Sequence, residues 1–276
     1  MSPSSEIPLV AFPTGNPPRW IQVAPAVDRH GQESRRMILA AAEQVLPEQA
    51  IVLGAGLCQE IPLRELVLRF RRITMNDLDK TLLEQAVKNA NLTAEQVGKL
   101  DMQVTDLTGA ADLFVQEAAQ CLEKIAEPNA AMGRLAEVAE AIRPTVLEDA
   151  AKYDLVIASC VLCQLHVASY NRVVRLFAAK FPGHERELGQ SQPWSQAVYN
   201  CARRMEAAFM TGLHRLVTPN GRIYLSDTVQ VAFVHGTPNG QWATPRYLPD
   251  DTHNSTCGLP GQSLRSGRAR PMALDR

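Results

Sequence analysis

Short apolar runs alternate along this chain with longer stretches in which apolar residues recur every three or four positions. The short runs predict strands, and the longer stretches predict helices between them. Residues 155–158 are apolar without a break, which is typical of a parallel strand covered on both faces. Strands that alternate with helices predict an α/β protein with a doubly wound, mostly parallel sheet and helices on both faces.

The predicted strands span residues 51–53, 73–75, 102–104, 154–159 and 222–226. Five of the predicted helices span residues 34–46, 80–89, 112–143, 168–180 and 194–216. The helix at 112–143 is expected to break near Pro128 and Gly133. A further helix is predicted to begin near Leu57, and its apolar stripe lies at 63–70. A polar loop is predicted at 181–193 and a turn at 219–221. Residues 229–234 form a candidate further strand with no convincing strand after it, which predicts an incomplete C-terminal sheet edge.

Composition divides the chain into three parts. Residues 1–33 begin with a proline-rich stretch and are predicted to form an N-terminal arm or cap. Residues 34–235 form one large domain with helical inserts near 112–150 and 181–200. Residues 236–276 hold five glycines and five prolines and few aliphatic residues, which predicts a disordered tail.

Charge and cysteine usage narrow the class of protein. At a net charge of −1, no overall field attracts nucleic acid or an anionic membrane, so neither is expected as a partner. The N-terminus shows no basic segment followed by an apolar run, and no apolar run is long enough to span a bilayer. Six scattered cysteines then favour reduced thiols over a disulfide framework. We predict a cytoplasmic protein; its oligomeric state is left open.

The candidate chemistry begins where the first strand ends, at Gly54-Ala55-Gly56. Asp77 stands at the tip of the second predicted strand, and Asp106 follows the third. A glycine turn followed by a carboxylate at the next strand tip is how an α/β sheet holds an adenosine-bearing cofactor, since the carboxylate accepts hydrogen bonds from ribose hydroxyls. An alternative is that Asp77 caps the helix at 80–89, a task it could share with Asp79; for Asp106 a cofactor role is favoured, and the alternative is a turn or cap residue.

The order of these pieces resembles the class I, Rossmann-like S-adenosylmethionine-dependent methyltransferases over about residues 34–234. Residues 53–56 resemble the family's glycine-rich first motif, Asp77 its ribose-binding acid, and residues 105–107 its third-strand motif at the adenine. Residues 153–159 and 218–227 resemble its fourth and fifth strands. The resemblance implies S-adenosyl-L-methionine as cofactor and these binding residues: Gly54, Ala55, Gly56, Asp77, Leu78, Asp106, Leu107 and Ser159.

The chain departs from the family pattern at four places. Val52 stands where many members have an acidic residue, and Cys58 stands where a third glycine is common. Cys163 and Gln164 replace a pair of histidines. Glu60 belongs to an unusual segment after the turn, where it could substitute electrostatically near the cofactor's amino group.

Other polar residues carry weaker indications. His166 is the candidate general base, with a plain polar residue on a short helix as the alternative. His30 either caps the pocket or is an exposed loop histidine. Cys160 and Cys163 have the spacing of a metal or redox pair, but no second pair at ligand spacing accompanies them, so no metal is expected.

The sequence therefore predicts methyl transfer from S-adenosylmethionine to an unidentified acceptor, and we expect this acceptor to be a small molecule. The catalytic residues stay unknown, because a cofactor that already carries an activated methyl group needs no catalytic triad. One alternative is a non-catalytic interaction module of the same shape, suggested by Val52 and Cys58. Another is an NAD(P)-dependent oxidoreductase, which would favour glycine where Gln59 stands.

Overall fold

The computed structural model of the chain describes residues 25–147 and 152–227. The candidate strand at 229–234, the tail at 236–276 and the first 24 residues of the predicted N-terminal arm lie outside the described residues.

Five parallel strands form one sheet in the order β3-β2-β1-β4-β5. The strands are β1 (Gln49–Leu53), β2 (Arg72–Asp77), β3 (Leu100–Val104), β4 (Tyr153–Ser159) and β5 (Val217–Ser226). Nine helices are present in the described part: α1 (Pro25–Glu43), α2 (Leu63–Arg69), α3 (Lys80–Asn89), α4 (Ala94–Val97), α5 (Ala111–Glu123), α6 (Pro128–Ala141), α7 (Val167–Lys180), α8 (Glu185–Gln190) and α9 (Gln192–Leu216). The predicted fold class, a doubly wound parallel sheet, is confirmed.

Alternate residues of the central strands enter two separate apolar cores, one on each face of the sheet. In β1, Ile51 and Leu53 pack with α5, α6, α7 and α9, whereas Val52 packs with α1, α2 and α3. In β4, Val156 belongs to the first core and Ile157 to the second, and both are fully buried. Because a strand alternates its side chains between faces, an unbroken apolar run is what a doubly covered strand requires.

Several helix boundaries differ from the sequence prediction. The helix predicted to begin near Leu57 begins at Leu63, after Pro62, so residues 54–62 are turns. The helix predicted from residue 34 begins at Pro25. The predicted break at Gly133 is wrong, because α6 runs through it, whereas the break before Pro128 is real.

Two predicted connections also differ. The loop expected at 181–193 contains the short helix α8 and the start of α9. The turn expected at 219–221 lies inside β5. There the pairing of β4 with β5 shifts register between the pairs Tyr153–Val217 and Leu155–Arg222. Glycine fits at 221 because an added Cβ would lie 2.8 Å from the carbonyl oxygen of Asp154. The fifth strand therefore begins at Val217, five residues earlier than its apolar run predicts.

Within the described residues, none of the helices combines the length and the apolar character needed to cross a membrane.

Candidate functional site

A cleft of about 290 Å³ opens at the carboxyl ends of the strands. Its walls come from the segments that follow β1, β2, β3 and β4, together with the start of α7. The sheet order changes direction between β1 and β4, and in open α/β sheets this switch point is where ligands bind. The topology therefore puts the glycine turn, Asp77 and Asp106 around one cavity.

The glycine turn after β1 adopts a backbone that side chains disfavour. Gly54 has φ +61° and Gly56 has φ +48°, both in the left-handed region. A Cβ on Gly54 would lie 2.7 Å from the Cγ2 atom of Val161, so packing also demands glycine there. A Cβ on Gly56 would meet no protein atom within 4 Å, and this residue lines the cleft.

The carboxylate of Asp77 is fixed against this turn. One of its oxygens, Oδ2, accepts a hydrogen bond from the backbone N–H of Gly56 at 2.7 Å, and Oδ1 accepts one from the N–H of Asp79 at 3.0 Å. Asp79 is the residue that caps α3, through a 2.8 Å bond from the N–H of Thr81. The two tasks left open by the sequence are thus divided: Asp79 caps the helix, and Asp77 lines the cleft.

Asn76 is a cleft residue that the sequence analysis missed. It is 4% exposed, and its amide nitrogen donates to Thr105 Oγ1 at 2.8 Å, whereas its Oδ1 atom has no hydrogen-bond partner in the structure. If the amide is turned over, the unpartnered atom becomes the nitrogen, so one polar atom stays unsatisfied either way. A buried polar atom without a partner is costly, and such an atom in a cleft residue is typical of a functional position. The available sequence signal was the asparagine that directly precedes the candidate ribose-binding acid, Asp77.

Asp106 has a structural task as well as a place in the cleft wall. Its Oδ2 atom accepts from the N–H of Ala111 at the start of α5, and its Oδ1 atom accepts from the N–H of Thr108. The capping alternative is therefore realised in this side chain. Leu78, 42% exposed, and Leu107, nearly buried, add apolar surface to the same cavity.

Three predicted residues do not line the cleft. Ala55 is buried in the core shared with α1, α2 and α3. Ser159 donates to Glu60 at 2.7 Å and lies 3.0 Å from the hydroxyl of Ser226. His166, the candidate base, is 7% exposed with an unpartnered Nδ1 atom, although its neighbours Leu165 and Val167 do line the cavity. Burial lowers the pKa of His166, which disfavours its charged form.

Two thiols near the cleft have unusual surroundings. Cys58 has a φ of +53°, so its backbone adopts a conformation that glycine favours. Burial, and then the nearby charge of Asp77, raise the pKa of Cys58 to about 12, so this thiol stays protonated at neutral pH. Cys160 has φ +54°, lines the cleft and contacts Glu60 and His30.

The cleft carries negative charge without a compensating cation. Asp77 and Asp106 are the charged residues that line it, and no lysine, arginine or histidine does so among the described residues. Such a wall favours a ligand that is neutral or positively charged over a phosphate-bearing one.

No protein-family model matches the chain, and no curated protein matches it. Among solved structures, it is similar to phosphoethanolamine N-methyltransferase 1 of Haemonchus contortus, in complex with phosphoethanolamine and S-adenosylhomocysteine, at 12% identity and a TM-score of 0.33 over 71% of this chain and 25% of that one. The methyltransferase domain of bacterial CtHen1 matches at 14% identity and a TM-score of 0.30, over 54% and 58% of the two chains. The glycopeptide N-methyltransferase MtfA, complexed with S-adenosyl-L-methionine, matches at 11% identity and a TM-score of 0.30, over 78% and 64%.

All three matched structures are methyltransferases by name, and this chain spans less than two thirds of the length of each. Because none of these TM-scores reaches 0.5, the likenesses carry no argument about function. The functional conclusion rests on the residues of the cleft.

Proposed function

We propose that this protein binds S-adenosyl-L-methionine in the cleft and catalyses transfer of its methyl group to a small-molecule acceptor. The observation that carries the proposal is the pairing of a glycine turn with Asp77 in a cleft lined by carboxylates and by no basic side chain among the described residues. The sulfonium and ammonium groups of the cofactor are positive, which suits this charge.

The residues present fit such a ligand. Asp77 retains lone pairs beyond its two backbone bonds, so its oxygens can accept from ribose hydroxyls. Asn76 lines the cleft with a polar side chain, and Leu78 and Leu107 supply apolar surface for a purine. The open space beside Gly56 leaves room for a ligand to approach the backbone.

The backbone of the turn argues against a dinucleotide. A nicotinamide dinucleotide rests its pyrophosphate on free N–H groups at the start of the helix that follows the glycine turn. Here that helix begins only at Leu63, and the N–H of Gly56 is already donated to Asp77. A pyrophosphate at Gly56 would therefore meet a carboxylate instead of free donors.

The chain's own contribution to catalysis is binding and alignment. When bound, the cofactor supplies an activated methyl group, and the protein must orient an acceptor towards it and exclude water. Asp77 and Asp106 are held rigidly by backbone N–H groups, so their negative charge is fixed in place. His166 does not line the cavity, and we assign it no catalytic role.

Isothermal titration calorimetry of the full chain with S-adenosylmethionine, S-adenosylhomocysteine, NAD and NADP tests the proposal. We expect one binding site for each of the first two ligands and none for the dinucleotides. Binding of NAD or NADP alone would support the oxidoreductase alternative. Binding of none of the four would overturn the proposal in favour of a non-catalytic interaction module.

Methyl transfer itself is tested by following S-adenosylhomocysteine formation after adding fractionated small molecules from a cell extract. We expect formation to depend on an extract fraction and to be lost in Asp77→Ala. Cofactor binding without turnover in any fraction, including macromolecular ones, would again favour a non-catalytic module.

A further inference from the structure

Beside the cofactor cleft, three side chains of different chemistry converge from three separate segments. His30 belongs to α1, Glu60 lies in the turns before α2, and Cys160 directly follows β4. His30 Nε2 lies 3.4 Å from Glu60 Oε1 and 3.8 Å from Cys160 Sγ, and Cys160 Sγ lies 3.4 Å from Glu60 Oε2. One potential ligand atom from each residue falls within 4.8 Å of the other two.

These separations are near the edges of a zinc coordination tetrahedron: the two 3.4 Å contacts, made by different oxygens of Glu60, fall within its range, and the 3.8 Å contact between His30 and Cys160 is slightly longer. With Zn–S near 2.3 Å, Zn–N near 2.0–2.1 Å and Zn–O near 2.0–2.2 Å, tetrahedral angles put the donor atoms about 3.3–3.6 Å apart. An imidazole nitrogen, a thiolate and a carboxylate oxygen are the three donor types that zinc takes in proteins. The side chains of His30 and Glu60 are 46% and 28% exposed, so an ion can reach the group from solvent.

The backbone around Cys160 supports a functional reason for the arrangement. Its φ of +54° is uncommon for a residue with a side chain, and its N–H is bonded to the carbonyl oxygen of Ser226 at 2.9 Å. The hydroxyl of Ser159 donates to Glu60 at 2.7 Å and orients its carboxylate. Arg35 of α1 donates at 2.6 Å to the carbonyl oxygen of Gln59, the residue before Glu60, and so holds α1 against this segment. A strained backbone, and hydrogen bonds that orient the side chains, are typical of residues that bind a ligand or a metal.

We propose that His30, Glu60 and Cys160 form a zinc-binding site at the border of the cofactor cleft. Three protein ligands leave a fourth position for water or for a donor atom of a substrate, as in catalytic zinc sites. Cys160 also lines the cleft, so the ion adjoins the ligand cavity. On binding, the thiol of Cys160 loses its proton to solvent and a Zn–S bond forms, with no change of oxidation state. The proposal is independent of methyl transfer.

The test is a titration of chelator-treated full-length protein with Zn²⁺ in competition with a chromophoric chelator. We expect one tight site per chain, with an affinity that rises with pH because a proton is released. Co²⁺ in place of Zn²⁺ should give a thiolate-to-metal charge-transfer band in the near ultraviolet. Cys160→Ser should abolish this band, and Cys160→Ser, His30→Ala and Glu60→Gln should each weaken Zn²⁺ binding at least tenfold.

Cys163→Ser and Cys121→Ser are the matched controls, because each removes a partly buried thiol that lies outside the cluster. Both should keep the wild-type affinity and the cobalt band, and circular dichroism checks that every variant is folded. Tight binding that survives in Cys160→Ser, a site lost equally in either control, or the absence of any tight site in the wild type would overturn the proposal. Unchanged S-adenosylhomocysteine affinity in His30→Ala, whose side chain does not line the cleft, would separate this result from the proposed cofactor site.

Discussion

Asp77 and Asp79 are two residues apart, yet they act on different parts of the structure. Asp77 accepts from two backbone N–H groups and lines the cleft, whereas Asp79 accepts from Thr81 and caps α3. The sequence identified both carboxylates but left the division of tasks open. Only the path of the chain after β2 decides which of the two faces the cavity.

This division predicts opposite effects for two matched variants. Asp77→Ala should weaken S-adenosylhomocysteine binding by about 2–4 kcal/mol, roughly 30- to 1000-fold, because charge-assisted hydrogen bonds to the ribose are lost. Asp79→Ala should lower the free energy of unfolding by about 1 kcal/mol through the lost cap and leave the affinity unchanged. Calorimetry and urea unfolding measure the two effects. Equal affinities in the two variants would contradict the assignment.

At Cys58 we expect alanine to be a more destabilising substitution than glycine, which is the reverse of the usual order. At ordinary positions glycine is the more destabilising substitution, but at a φ of +53° a side chain costs roughly 1–2 kcal/mol. We therefore expect Cys58→Gly to be more stable than Cys58→Ala by about 1 kcal/mol in urea unfolding. Both variants remove the same thiol, so the difference isolates the backbone. A more stable alanine variant would show that the turn relaxes when the thiol is removed.

At the scale of elements, α5 depends on a carboxylate that precedes it by several residues. Asp106 accepts from Ala111 and Thr108, and it is the bond to Ala111 that caps the first turn of the helix. The sequence favoured a cofactor role for this residue, but the hydrogen bonds of a turn cannot be read from residue spacing alone. The start of α2 shows the same limit. The sequence predicts its apolar stripe at 63–70, but it predicts a start near Leu57, whereas the helix begins at Leu63.

Asp106→Ala should reduce the free energy of unfolding by about 1–2 kcal/mol, because the start of α5 loses its acceptor. Asp112→Ala is the control: this exposed residue on the same helix pairs with Arg172 in a surface salt bridge, and its loss should cost less than about 1 kcal/mol. Urea unfolding of the two variants checks the difference. The assignment fails if both variants lose the same stability.

At the scale of the whole molecule, the buried His166 makes stability depend on pH. Its pKa in the folded state is lowered from 6.5 by burial, so the unfolded chain binds the proton more readily. The stabilising contribution of the neutral ring is present above the unfolded pKa and is lost as pH falls through the folded pKa. The whole fold is therefore expected to become less stable in mild acid.

His166→Leu should remove this dependence and also the unpartnered Nδ1 atom. The difference in free energy of unfolding between variant and wild type should grow in favour of the variant as the pH falls from about 7 to about 5. Urea unfolding at a series of pH values measures it. A difference that is constant over this range would show that His166 does not titrate at a lowered pKa.

The apolar pattern predicts the five parallel strands and most of the helices, and the residue types at the strand ends predict the glycine turn with its carboxylates, because burial on two faces and a left-handed turn restrict residue types locally. It could not determine that Asn76 lines the cleft and keeps an unsatisfied buried oxygen, or that Ser159 donates to Glu60 instead. The meeting of His30, Glu60 and Cys160 was equally invisible, since 130 positions separate the first from the last. Such contacts depend on how segments distant in sequence meet at the carboxyl ends of the central strands, and residue spacing along the chain does not encode that meeting.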